Sequence, residues 1–298
     1  MKILVTGASG FVGQHVISQL LERGHAVTAV ARDEAKARNF AWFNHVRFIA
    51  CDIHLPTTNP FGLFGQPDAA IHLAWSGLPN YSGLFHFEEN LPVGYRFLKS
   101  MVEGGVNHLL VAGTCFEYGM QSGGLTEDMP TAPANPYALA KDTLRKFLQS
   151  LQLQHTFTLQ WARLFYMYGE GQSPNSLLAQ LDRAIEEGLS AFNMSGGEQL
   201  RDYLPVKEVA SRLVSLLDYP ECDGIVNVCS GVPISVRRLV ERHLMERKSN
   251  IKLNLGYYPY SDYEPMAFWG SGDKLTRWLD SGANLLNSGV VHETESTK

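Results

Sequence analysis

Three glycines at intervals of three, Gly7, Gly10 and Gly13, follow directly on the apolar run Ile3-Leu4-Val5-Thr6 and precede an amphipathic pattern across 14–23. A strand that breaks into glycines and resumes as a helix makes a cradle for phosphate. Glycine tolerates positive φ and lets a ligand reach the main chain, while the helix start offers unpaired N–H groups at the positive end of its dipole. At the first strand of the chain, the segment holding Gly7, Ser9, Gly10, Phe11, Val12 and Gly13 reads as the opening of a dinucleotide-binding α/β domain. The bland alternative is a turn kept tight only so that the helix can pack on its strand.

The rest of the first half repeats this rhythm. Apolar, β-rich runs at 2–6, 26–31, 46–51, 69–74, 108–114 and 156–164 alternate with helical patterns at 12–23, 84–103 and 136–151. Strands that are apolar throughout and separated by helices predict a parallel sheet covered on both faces, doubly wound by right-handed crossovers. Beyond 165 the rhythm changes. A helix is expected at 176–187, a short strand near 189–194, a helix at 206–217, a strand at 224–229, a helix at 233–247 and a strand near 251–255. The expected division is a dinucleotide-binding unit over 1–165, with later returns to its sheet near 205–230, and a smaller C-terminal substrate lobe over 166–298. The polar end, 291–298, is expected to be disordered.

Net charge at pH 7 is −5, so neither nucleic acid nor an anionic membrane is an expected partner. Any phosphate must then be held by local arginines and helix ends. No apolar stretch reaches the length of a bilayer span, and because Met1-Lys2-Ile3 runs straight into the first strand, no signal peptide is expected. Cys51, Cys115, Cys222 and Cys229 have no CxxC spacing and read as reduced thiols, so a cytoplasmic protein without a metal site is expected.

The second strand runs into Arg32. At that edge an acid would bond a free ribose 2′-hydroxyl, whereas an arginine would pair with a 2′-phosphate, so Arg32 favours NADP(H) over NAD. The adjoining Asp33 leaves another reading open, a solvated arginine beside a helix-capping aspartate. Asp52 and Ile53, after the third strand, sit where an adenine would be held; as a turn former Asp52 has an equally ordinary role. His72-Leu73-Ala74 ends the fourth strand. Leu73 and the small Ala74 would let the main chain lie against the cofactor, and His72 reads as a core histidine.

Tyr137 and Lys141 stand four residues apart, on one face of a helix that Asn135 and Pro136 would start. In a chain with 12 tyrosines such a pair is common, and context gives it meaning. The strand ending at Thr114 delivers a hydroxyl to the sheet edge where open α/β sheets bind ligands. A ketone that accepts hydride needs a proton, and a free phenol has a pKa near 10. Lys141 is expected to lower that value and to bond the nicotinamide ribose, with Thr114 orienting the carbonyl oxygen.

Taken together, Thr6-Gly7-x-x-Gly10-x-x-Gly13, His72-Leu73-Ala74, Thr114 four residues before Tyr118-Gly119, and Tyr137-x-x-x-Lys141 resemble an extended short-chain dehydrogenase/reductase of the nucleotide-sugar branch. The segments 163–169 and 197–203 extend the resemblance over nearly the whole chain. It implies a Rossmann sheet and a nucleotide-diphosphate sugar substrate. By the same resemblance Arg201 would contact the diphosphate, Asn175 and Ser176 would touch it too, and Phe192 would pack the nucleobase. An Arg201–Asp202 salt bridge is the competing structural role.

Departures from the family pattern narrow the reaction. The 4,6-dehydratases carry an Asp-Glu pair where this chain has Cys115 and Phe116, and the acid–base pair of a 3,5-epimerase is also missing. Cys115 itself reads as a substrate-side hydrophobe, and Glu117 stands where relatives have an apolar residue. What remains is resemblance to the reductases of nucleotide-linked 4-keto-6-deoxy sugars. Two other readings stay open, an NAD-dependent 4-epimerase and a non-catalytic NADP-binding regulator. Apolar residues in excess on helices 84–103 and 136–151 (Phe87, Leu91, Phe97, Leu98, Leu144, Phe147, Leu148) predict a homodimer through those helices.

Overall fold

The computed structural model describes residues 1–288 except Pro56, Ser261 and Tyr263; the tail expected at 291–298 lies outside the described residues. Seven parallel strands form the main sheet in the order Gly224–Val228, Thr158–Leu164, His108–Thr114, Ala69–His72, Lys2–Thr6, Ala26–Ala31 and Arg47–Ala50. The order reverses between the first and fourth strands, so the cleft between them at the sheet's C-terminal edge is the natural ligand position.

Alternation along each strand explains why both faces are covered. Ile3 and Val5 point to one side, with Val16, Ile17 and Leu20 of helix Phe11–Glu22 and Val209, Leu213 and Val214 of helix Val206–Leu216. Leu4 points to the other, with Phe97, Leu98 and Met101 of helix Leu91–Gly104 and Leu144 and Leu148 of helix Pro136–Gln152. Burying each such side chain is worth about 1.5–3 kcal/mol, which fixes this doubly wound arrangement.

The helix expected over 84–103 is two pieces. His86–Asn90 is a π-helical turn, and the α-helix runs Leu91–Gly104. Pro92 near its start has no N–H to return to the preceding turn, so the hydrogen-bond register changes there. The helix expected from 233 starts at Val236, because Pro233–Ser235 pairs as a strand with Leu200–Pro205.

A second group of short elements follows the C-terminal ends of the outer sheet strands. It contains the sheet of Pro233–Ser235, Leu200–Pro205 and Tyr166–Tyr168, and the pair Lys252–Asn254 and Ala191–Asn193. Its core joins Leu178 and Leu181 of helix Leu177–Glu186 to Phe192, Met194, Leu239 and Val240. Strands Gly123–Leu125 and Phe268–Gly270 pair with each other, and helix Asp273–Ser288 closes the described chain.

Candidate active site

The first strand ends in a turn that only glycines fit. Gly7 has φ 73°, and a Cβ there would lie 2.8 Å from the Ala74 main-chain nitrogen. A Cβ on Gly13 would meet the Gly7 carbonyl oxygen at 2.2 Å. Helix Phe11–Glu22 starts at Gly10, with no side chain capping its first N–H groups. Ser9, Phe11 and Val12 are half-buried around this turn. Glycines pressed against the Leu73–Ala74 main chain and an uncapped helix start are the donor set a pyrophosphate needs, so these residues fit a dinucleotide.

At the neighbouring strand ends, Arg32 is exposed, and Asp33 caps helix Glu34–Ala37 by accepting the Lys36 N–H at 2.9 Å. Asp52 accepts the His54 N–H at 3.0 Å, the local turn bond its residue type favours. Ile53 lies beside His72, Ala74 and Trp75 along a crevice. His72 is buried, its Nδ1 2.9 Å from the Thr6 hydroxyl, and burial brings its pKa down to about 3, which keeps the ring neutral.

Helix Pro136–Gln152 carries the phenol and the ammonium. Asn135 caps it through the Ala138 N–H at 2.9 Å, with Pro136 as the first helical residue. Tyr137 is 8% exposed, and the Thr114 hydroxyl stands near enough to favour its ionised form. Lys141 donates to the Ala112 carbonyl at 2.9 Å, and its Nζ lies 4.0 Å from the centre of the Trp75 ring. The expected acidified phenol is not what this geometry produces. Burial, reinforced by Tyr81, Glu117 and Cys115, pushes Tyr137 above its ordinary value, against the pull of the Thr114 hydroxyl. Burial also brings Lys141 down to about 7, with Glu117 opposing. The lysine is desolvated beside its partner, so its proton is weakly held and its charge is a poor lever on the phenol.

An aromatic wall the sequence did not reveal encloses this pair. Trp75, Tyr81 and His86 stand 6.1, 5.5 and 5.3 Å from the Tyr137 ring, centre to centre. The Trp75 indole donates to His86 Nδ1 at 2.9 Å, and the Tyr137 N–H donates to the Tyr81 carbonyl at 3.1 Å. The π-helical turn directs His86 inward. The position of Trp75, directly after His72-Leu73-Ala74, was the available signal.

Where the sequence expects the substrate, Arg201 is 3% exposed and is not paired with Asp202. Its Nε and Nη2 donate to Glu264 at 3.1 and 2.8 Å, and its Nη1 donates to the Leu200 and Met266 carbonyls. Asp202 instead accepts the N–H groups of Ser230 and Gly231. The diphosphate contact expected of Arg201 therefore meets a guanidinium already neutralised by a carboxylate. Cys115 is buried beside this pair, and burial pushes its thiol well up. Phe192 lines a groove with Leu177, Met194 and Tyr258. Ser176 starts helix Leu177–Glu186 with its hydroxyl buried and unpartnered, and Asn175 beside it is exposed.

The apolar excess on the two helices is mostly used within the chain. Phe97, Leu98, Leu144 and Leu148 are core residues, while Phe147 stays 44% exposed, edge-on to Tyr95. All four cysteines are free thiols. Among the described residues no helix is long and apolar enough to cross a membrane.

The family model for "NAD dependent epimerase/dehydratase family" matches residues 3–229. A dTDP-6-deoxy-L-talose 4-dehydrogenase (NAD(+)) of Aggregatibacter actinomycetemcomitans is 32% identical, over 91% of this chain and 100% of that protein. A UDP-glucose 4-epimerase of Halalkalibacterium halodurans is 26% identical, over 81% of this chain and 79% of its own. The solved UDP-glucuronic acid 4-epimerase from Bacillus cereus, in complex with UDP-glucuronic acid and NAD, shares the fold at a TM-score of 0.83, with 22% identity across 94% of this chain and 93% of that one.

Proposed function

This chain belongs to the NAD dependent epimerase/dehydratase family, and on that premise we propose that it is an oxidoreductase acting at C4 of a nucleotide-linked 6-deoxy sugar, reducing the 4-keto form. The observation that carries the reading is the buried Tyr137 phenol, set beside the buried Thr114 hydroxyl and held protonated by its surroundings. A phenol that is protonated when hydride arrives can pass its proton to the carbonyl oxygen as the alkoxide forms, and the same group takes the proton back in the reverse direction. The 32% identity to a sugar-nucleotide 4-dehydrogenase supports the same carbon and the same kind of sugar.

When bound, the dinucleotide supplies or accepts the hydride. This chain's residues do the rest. Gly7, Gly10, Gly13 and the start of helix Phe11–Glu22 would seat its pyrophosphate, with Leu73 and Ala74 lying alongside. Thr114 orients the sugar carbonyl oxygen, and Tyr137 hands it a proton. Lys141, held on Ala112 and Trp75, would bond the ribose. Arg32, exposed at the end of the second strand, supports NADP(H), since its guanidinium could pair with a ribose 2′-phosphate. The lobe built from 166 onward would receive the sugar nucleotide, with Ser176 and Phe192 at the nucleotide end. The exposed Phe147 supports a homodimer through helices Leu91–Gly104 and Pro136–Gln152, and the free thiols support a cytoplasmic enzyme.

The test is a panel of sugar nucleotides assayed with reduced dinucleotide, following its absorbance and the sugar products. Stoichiometric consumption with a 4-keto-6-deoxy sugar is the expected result. Interconversion of C4 epimers without consumption would replace this reading with the epimerase one, which the 26% identity to a UDP-glucose 4-epimerase favours. Dinucleotide binding without turnover of any sugar would leave only the regulator.

A further inference from the structure

The reaction scheme leaves a wholly buried carboxylate unused. Glu117 is 0% exposed and lies one turn beyond Thr114. Its Oε1 accepts the Thr114 main-chain N–H at 2.8 Å and the Trp161 indole N–H at 2.9 Å. Its Oε2 accepts from Arg163 Nε at 2.8 Å, and Arg145 Nε stands 3.9 Å away. These donors come from three elements. Trp161 and Arg163 lie on strand Thr158–Leu164, whose register sets Arg163 opposite Gly113, and Arg145 lies on the helix that carries Tyr137 and Lys141.

A carboxylate this deep is expensive unless every lone pair is occupied, and apolar replacements of such pairs often leave a fold equally stable. Stability alone is therefore a weak reason for the charge. Its position offers a better one. Thr114 and Glu117 form a reciprocal capping box, in which the Thr114 hydroxyl accepts the Phe116 N–H at 3.3 Å while Glu117 holds the Thr114 N–H. With its oxygen engaged by Phe116, the hydroxyl is oriented at the point where the Tyr137 phenol meets it. The main chain before Thr114 runs so close to the hub that a Cβ on Gly113 would lie 2.7 Å from Glu117 Oε1 and 2.2 Å from the Trp161 indole nitrogen.

We propose that Glu117 is a positioning residue for the reaction: its carboxylate fixes the backbone where Thr114 leaves the strand and so aims the Thr114 hydroxyl at Tyr137 and the sugar carbonyl. This rests on the reading above, that Thr114 acts in turnover. Glu117 touches neither substrate nor dinucleotide. It acts through Thr114, and through Arg145 it ties that residue to the helix bearing Tyr137 and Lys141.

The test is a double-mutant cycle on the full chain with Thr114→Val and Glu117→Gln, measuring kcat and the KM of both substrates, with thermal melts to verify folding. Each single variant is expected to lower kcat about tenfold or more with the dinucleotide KM unchanged, and the double variant to be no slower than Thr114→Val alone. Losses that multiply would overturn the proposal, because Glu117 would then act independently of Thr114. A Thr114→Val enzyme with undiminished kcat would overturn the parent reading, and this proposal with it. Should Glu117→Gln fail to fold with Arg163 left unpaired, the same cycle is run in an Arg163→Met background and judged by the same criterion.

Discussion

The ammonium of Lys141 lies 4.0 Å from the centre of the Trp75 indole and donates to the Ala112 carbonyl, with no water-exposed side. Burial lowers its pKa from 10.5 to about 7 in the folded chain, so the unfolded chain holds that proton across a window where the folded chain does not. The contribution of Lys141 to stability therefore rises with pH between about 7 and 10.5, by up to about 1.4 kcal/mol per pH unit, while the buried thiols and phenols, whose protons the fold holds more tightly, act in the opposite sense above about 9. Lys141→Met should abolish this slope, a difference readable from denaturant melts at several pH values. Parallel curves for the two proteins would contradict it.

Tyr137→Phe removes the proton donor and leaves the ring among Trp75, Tyr81 and His86. Turnover should fall by roughly 10²–10⁴-fold, the usual contribution of a positioned acid. Dinucleotide binding, followed by fluorescence titration, should stay within about twofold, since the phosphate cradle is untouched.

Gly13→Ala would press a methyl group against the Gly7 carbonyl oxygen, a main-chain atom that cannot step aside. The overpacking should cost about 1–3 kcal/mol in a thermal melt and weaken dinucleotide affinity in the same protein. Gly24→Ala is the control: a Cβ there meets nothing within 4 Å, though its φ of 74° carries its own smaller strain.

Arg32→Ala tests the choice of dinucleotide. If the guanidinium pairs with a 2′-phosphate, kcat/KM with NADPH should drop about tenfold or more while kcat/KM with NADH holds. An equal effect on both would return Arg32 to the role of a solvated surface residue.

Much of the architecture is legible because the central strands carry their signal locally. Ile3-Leu4-Val5 and Leu109-Leu110-Val111 are apolar on both faces, which only a covered parallel sheet explains. The three-residue strands escape such reading. Gly123–Leu125 has no pattern of its own and is a strand only because Phe268–Gly270 runs beside it. Asn135 and Pro136 announced the triad helix from sequence alone. The partners that set its chemistry did not announce themselves, since the Trp161 and Arg163 donors to Glu117 lie on another strand and Glu264 reaches Arg201 from a distant loop. The Thr114-x-x-Glu117 spacing is a capping-box signature and was the one local trace of that hub. Lys141 marks the limit of motif reasoning: spacing places it beside Tyr137, but burial decides how firmly it keeps its proton.

The Arg201–Glu264 pair makes any anion arriving at that guanidinium a competitor with a tethered rival, so occupancy there is an exchange. Its cation, already matched at 2.8 Å by a carboxylate, exerts little pull at longer range. Selectivity is then decided at contact, by whichever acid satisfies more of the arginine's fork.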